Sequence, residues 1–192
     1  MKKIIIAIDS FKGCLTSAEA GKAAEKGIKS INPFCHTSVI PIADGGEGLL
    51  DVLITATKGK YITLSAHGPL MKMAKTHYGL SGNGRTAIIE MAAISGLPLV
   101  PIEQRNPMLT TTFGTGELIK DALNKGCRNF IIGIGGSATN DAGLGMLQAL
   151  GFRFLDKSGH TLGTGGQIME AVANIDTSGI HPALRETHFM VA

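Results

Sequence analysis

The stretch Phe130-Ile-Ile-Gly-Ile-Gly-Gly-Ser-Ala-Thr-Asn-Asp141 decides the fold. Its apolar start reads as a buried strand over 130–134, and it runs directly into a small, hydroxyl-rich turn. Asn140-Asp141 then launches the helical pattern Ala142-Gly-Leu-Gly-Met-Leu-Gln-Ala-Leu150, which Gly151 stops. A strand, a glycine turn and a helix start bring unpaired backbone N–H groups and a positive helix end to one place. The segment therefore predicts an anion site, with a phosphorylated ligand as its occupant.

Outward from this centre, strands and helices alternate. Residues 3–8 predict a parallel strand buried on both faces. Thr16-Ser-Ala-Glu19 is a capping-box pattern, opening a helix that Asn32-Pro33 ends. A strand over 38–43 and a helix over 46–57 follow. The pattern then changes: 61–65, 74–80 and 85–89 read as antiparallel strands, with Ser81-Gly-Asn-Gly84 as a hairpin turn. A short helix over 90–95, a proline-marked loop over 98–107 and a helix over 115–124 lead into the central stretch. A strand at 152–155, a short helix near 168–173 and a strand at 188–192 complete the order. This order predicts an α/β fold, a doubly wound and mostly parallel Rossmann-like lobe made of 1–60 and 97–192. The antiparallel excursion over 61–96 is expected to contribute to a second domain.

Composition narrows the classes. Apolar residues make up 44% of the 192, which marks a globular chain, and the 26 glycines are about twice the usual share. They cluster after apolar runs, as tight strand-to-helix turns require. The net charge of +3 is scattered and aromatics are 5%, which argues against a nucleic-acid partner. Cys14, Cys35 and Cys127 show no C-x-x-C spacing and the six histidines no metal-ligand spacing, so the cysteines read as reduced thiols of a cytoplasmic protein. The opening Met-Lys-Lys-Ile-Ile-Ile-Ala-Ile-Asp9 has too short an apolar core for export, and no run approaches a membrane span.

In open α/β sheets, ligands bind beyond the carboxyl ends of the strands. That rule singles out three junctions. In Asp9-Ser-Phe-Lys-Gly13, Asp9 can hold a hydroxyl or magnesium and Lys12 can meet a phosphate, or both can be ordinary turn residues. In Ala43-Asp-Gly-Gly-Glu-Gly48, Asp44 and Glu47 can cap the next helix, while Gly45 and Gly46 suggest close approach of a ligand to bare backbone. In the third, Gly133-x-Gly135-x-x-Ala138 with Asp156 formally matches a dinucleotide fingerprint, but no Walker A loop occurs. Ser137, Thr139, Asn140 and Asp141 suit a phosphoryl or carboxylate site better than a nicotinamide one. Thr110-Thr-Thr-Phe-Gly-Thr-Gly-Glu117 is a fourth candidate, equally readable as a helix cap.

Five blocks in one order resemble the bacterial glycerate kinase family, which phosphorylates D-glycerate with ATP. They are Asp9-Ser-Phe-Lys-Gly13, Ala43-Asp-Gly-Gly-Glu-Gly48, Gly84-Arg-Thr-Ala-Ile-Ile-Glu-Met-Ala92, Thr112-Phe-Gly-Thr-Gly-Glu-Leu118 and Ile132-Gly-Ile-Gly-Gly-Ser-Ala-Thr-Asn-Asp141. The resemblance implies a two-domain α/β enzyme with its active site in the cleft between domains. It implies Lys12, Asp44 and Asp141 as catalytic candidates, with Mg2+ on Asp44. Asp9, Ser10, Gly45, Gly46, Glu47, Arg85, Gly135, Gly136, Ser137, Ala138, Thr139 and Asn140 are implied to bind substrate or phosphate, and Glu90 falls in a family-like position. Cys14 stands where the family more often shows serine. Family members continue past this point with a segment like Cys-Asp-Val-x-Asn-Pro-Leu, so the chain is expected to be an N-terminal half with impaired activity. Its partners would be D-glycerate and either a C-terminal half or a second copy. A non-catalytic α/β module and a dinucleotide-dependent oxidoreductase are the alternatives.

Overall fold

A computed structural model describes residues 3–192. Met1 and Lys2, the start of the signal-like run, lie outside the described residues. Strands β1 (Lys3–Ile6) and β2 (His36–Val39) pair in parallel around helix α1 (Ser17–Ile31). The expected capping box forms: Glu19 N–H donates to Thr16 Oγ1 at 3.2 Å and Thr16 N–H to Glu19 Oε2 at 2.9 Å. Helix α2 (Leu49–Thr57) leads to three strands, β3 (Lys60–His67), β4 (Met73–Leu80) and β5 (Thr86–Glu90), and the short helix α3 (Ala92–Ser95). Helix α4 (Phe113–Asn124), strand β6 (Asn129–Gly133) and helix α5 (Leu144–Ala149) follow. The chain closes with a small antiparallel pair, β7 (Arg153–Leu155) and β8 (Asn174–Asp176), and then β9 (His188–Val191).

The central sheet has the order β3-β4-β5-β6-β9. It is parallel across β5–β6–β9 and antiparallel where β3 and β4 extend it. The strands of 61–96 thus share one hydrogen-bonded sheet with β6 and β9. Layers on both faces follow from alternation along β5, because neighbouring side chains point opposite ways. Ile88 packs with Leu50 and Ile54 of α2, whereas Ile89 joins Leu118, Ile119 and Phe130 under α4. Fully burying such a side chain contributes about 1.5–3 kcal/mol.

Three strands depart from expectation: β2 lies at His36–Val39 and not over 38–43, β8 was not anticipated, and β1 differs in its burial. The parallel pairing of β1 was anticipated, but not its exposure: Ile5 is 61% exposed. β1 and β2 form a separate two-stranded sheet, so nothing among the described residues covers that face. Helix α5 also begins later than expected, at Leu144, for a reason that lies in Asp141.

Candidate active site

The carboxyl ends of β5, β6 and β9 stand side by side, at Glu90, Gly133 and Val191. The 44–48 junction crosses this edge. Gly135 N–H donates to Gly45 O at 3.4 Å. A Cβ on Gly133 would lie 2.5 Å from Gly45 O, and one on Gly135 would lie 2.7 Å from Gly46 Cα. The neighbour that demands bare backbone at Gly133 and Gly135 is the 45–46 loop, whereas at Gly45, where the sequence suggested a ligand, it is the backbone of Ala192.

Glu90 ends β5 and turns its carboxylate to the start of α2. Its Oε1 accepts the Leu50 N–H at 2.8 Å, at a helix start whose own cap, Gly48, offers no side chain. Burial pushes the Glu90 carboxyl above its ordinary value. The expected Asp44–Glu47 capping pair does not form. Asp44 Oδ1 instead accepts Gly46 N–H at 3.1 Å within its own turn, and Glu47 is exposed.

At the first junction, Ser17 Oγ donates to Ile8 O at 2.6 Å and accepts from Ile42 N–H at 3.0 Å, tying the ends of β1 and β2 to α1. A turn closed by Phe11 N–H to Leu15 O at 2.8 Å, with Gly13 left-handed at φ 73°, holds Lys12 out into solvent. Asp9 accepts the N–H of Ser10 at 2.6 Å. Ser10, Lys12 and Glu47 meet around a cavity of about 450 Å³, completed by Asp51, His77 and Glu90. Asp51 and His77 were not foreseen. Neither belongs to a motif, and β4 reaches this cavity only through the sheet.

The third junction divides into an inner and an outer half. Asp141, 1% exposed, faces inward. Its carboxylate accepts the Thr112 N–H at 2.8 Å, both threonine hydroxyls of 111 and 112, and the N–H groups of Gly143 and Gly145. The positive start of α5, predicted to draw a ligand anion, is therefore filled by the chain's own carboxylate. This also explains the fourth candidate: Thr110–112 brace the loop, Thr110 Oγ1 donating to Ala138 O at 2.7 Å.

The outer half is held still. Leu97 N–H donates to Gly136 O and Ala138 N–H to Ser95 O, both at 2.9 Å. Ser137 and Thr139 hydroxyls sit 2.7 Å apart, and the exposed Asn140 follows. Ser137, Ala138 and Thr139 line a second cavity, of about 240 Å³, together with Arg105. Sequence reasoning passed over Arg105, because it sits in a loop read only through its prolines.

Two candidates stand elsewhere. Arg85 precedes the first residue of β5, at the opposite end of the strand from Glu90, and lines neither cavity. Asp156 closes its own turn after β7, accepting the N–H groups of Ser158 at 2.8 Å and His160 at 2.9 Å. With Gly135 packed on Gly46 and Asp156 so engaged, the dinucleotide fingerprint is not assembled. No group of three or more His, Cys, Asp or Glu able to hold a metal occurs among the described residues, and none of their helices is long and apolar enough to cross a membrane.

Known proteins match this arrangement along its whole length. The chain is 53% identical over 190 residues to a glycerate kinase of Bacillus subtilis, covering 99% of this chain and 50% of that protein. It is 48% identical over 190 residues to a glycerate 2-kinase of Escherichia coli, again covering 99% and 50%. A crystal structure of a Salmonella typhimurium LT2 protein described as a glycerate kinase 2 superposes with a TM-score of 0.89 at 48% identity, over 100% of this chain and 51% of that one. The chain thus spans about half the length of the curated relatives it matches. The family model described as the glycerate kinase family matches residues 4–192, and the chain belongs to that family.

Proposed function

We propose that the protein phosphorylates D-glycerate with ATP, using the cleft where the three junctions converge. The observation that carries this reading is the meeting of Ser10, Lys12 and Glu47 around one cavity at the carboxyl edge of β5. Phosphoryl transfer depends on positioning and charge stabilisation more than on covalent chemistry. Lys12, exposed at a turn tip, offsets charge on the transferred group. The N–H groups of Gly136 and Ser137, which meet no acceptor among the described residues, can each donate to an anionic oxygen.

The cleft also suits magnesium. Mg2+ in such sites is held by one or two carboxylates and the phosphates of the substrate, and Glu47, which lines the larger cavity, would hold the ion together with the exposed Asp44 before it. When bound, the ion would neutralise phosphate charge. Asp141 acts differently from its expected part: saturated by five donor groups, it positions the loop that Ser137 and Thr139 occupy.

The domain arrangement belongs to the same proposal. The isolated β1–β2 layer and the edge of β9 form part of a second lobe, covered by a C-terminal half or by a second copy of the chain. Activity of these 192 residues alone is accordingly expected to be low. We place the protein in the cytoplasm, the location expected from the spacing of its cysteines.

The test is ADP release from MgATP with D-glycerate, on the chain supplemented with the C-terminal half of a relative. Lys12→Ala should lower kcat by about a hundredfold or more. Its thermal stability should stay unchanged, because the residue is exposed. A near-normal kcat removes Lys12 from the mechanism. Thermal protection by NAD and not by MgATP would return the oxidoreductase alternative.

A further inference from the structure

The two cavities differ in charge and size, and the difference assigns their ligands. The larger one is ringed by Glu19, Glu47, Asp51 and Glu90 against Lys12 and His77. A bare carboxylate is repelled there, whereas a magnesium nucleotide brings its own cation. The smaller one has Arg105 and no carboxylate in its lining. Drug-sized ligands take cavities of about 300–1,000 Å³. A space of about 240 Å³ suits a smaller molecule.

Resting on the kinase reading above, we infer that this smaller cavity is the carboxylate subsite for the hydroxy-acid substrate, with Arg105 as its cation. Arg105 Nε donates to Val100 O at 3.2 Å, which fixes the stem of the side chain. Its guanidinium forms no ion pair among the described residues. A planar guanidinium with free terminal N–H groups matches a carboxylate in a two-pronged geometry that lysine cannot reproduce.

The opposite wall adds a donor. The Ser137 and Thr139 hydroxyls share one hydrogen bond, and Ser137 Oγ also accepts the Thr139 N–H at 3.0 Å. Two hydroxyl protons serve one mutual bond, so one proton is left for a ligand oxygen. Leu97, Val100 and Pro107 supply apolar walls, which reduce solvent around the ion pair and strengthen it. The loop carrying Ser137 packs through Gly135 on the 44–48 junction, whose Glu47 and Gly48 line the larger cavity.

Amide NMR on the 15N-labelled chain tests this directly. D-glycerate should shift the amides of Arg105, Asn106 and 137–139. Arg105→Ala should weaken D-glycerate binding about tenfold or more, with Arg105→Lys in between. Binding of MgATP and the melting temperature should not change, since Arg105 is exposed. Unaltered D-glycerate affinity in Arg105→Ala, or shifts centred on Lys12 and Glu47, overturns the subsite and leaves the kinase reading standing. Tighter binding of inorganic phosphate than of D-glycerate at 137–139 overturns it in favour of a phosphoryl site. If the wild-type chain binds neither D-glycerate nor MgATP, the subsite and the kinase reading fail together.

Discussion

Glu90 joins two roles in one carboxylate. It caps α2 across the sheet, and it lines the larger cavity. Burial holds its proton more tightly in the folded chain than in the unfolded one, where the ordinary value of 4.5 applies. Between those two values the folded state binds more protons, so stability falls as pH rises through this window. Glu90→Gln keeps an oxygen for the Leu50 N–H and removes the titration. Its melting temperature relative to wild type should therefore rise as pH climbs above the ordinary carboxyl value of 4.5. A difference that stays flat over that range would show that burial does not penalise the ionised Glu90. Asp141 is the contrasting case: equally a carboxylate near the site, it is enclosed by donors of its own chain.

At the scale of elements, the legible features were those set by neighbours in sequence. The Thr16–Glu19 capping box and the turn at 81–84 depend on contacts within a few residues, and each formed. Illegible features depended on distance along the chain. Asp141 finds Thr111 and Thr112 about 30 residues away, and Leu50 finds Glu90 at a separation of 40. Neither partner leaves a local pattern. Glycine shows the same division. Gly27, in α1, has open space where a Cβ would stand, so Gly27→Ala should stabilise the chain by about 0.5–1 kcal/mol. Gly135 would drive a Cβ to 2.7 Å from Gly46 Cα, so Gly135→Ala should cost about 1–3 kcal/mol by separating the two junctions. Urea unfolding measures both. Equal effects of the two substitutions would mean that the 45–46 and 133–135 contact is not rigid.

At the scale of the whole molecule, apolar side chains gather on the surface formed by β1, β2 and β9. The two-stranded β1–β2 sheet leaves Ile5 61% exposed, the segment after β2 leaves Ile40 49% and Ile42 41% exposed, and the edge strand β9 leaves Met190 64% and Val191 62% exposed. A two-stranded sheet is marginal without a partner layer, and an open apolar edge strand is a template for pairing with another chain. Both features lie beside the 44–48 junction, since the end of β9 packs on Gly45. A layer placed on this surface would therefore also wall the proposed cleft. The isolated chain should associate as its concentration rises, with light-scattering mass climbing above 20.0 kDa. Met190→Lys places a charge on the exposed strand and should return the mass toward the monomer value without lowering the melting temperature, because the side chain is mostly in solvent. A wild-type chain that stays monomeric at every concentration would mean that β9 does not recruit a partner strand, and the second lobe would have to be completed elsewhere.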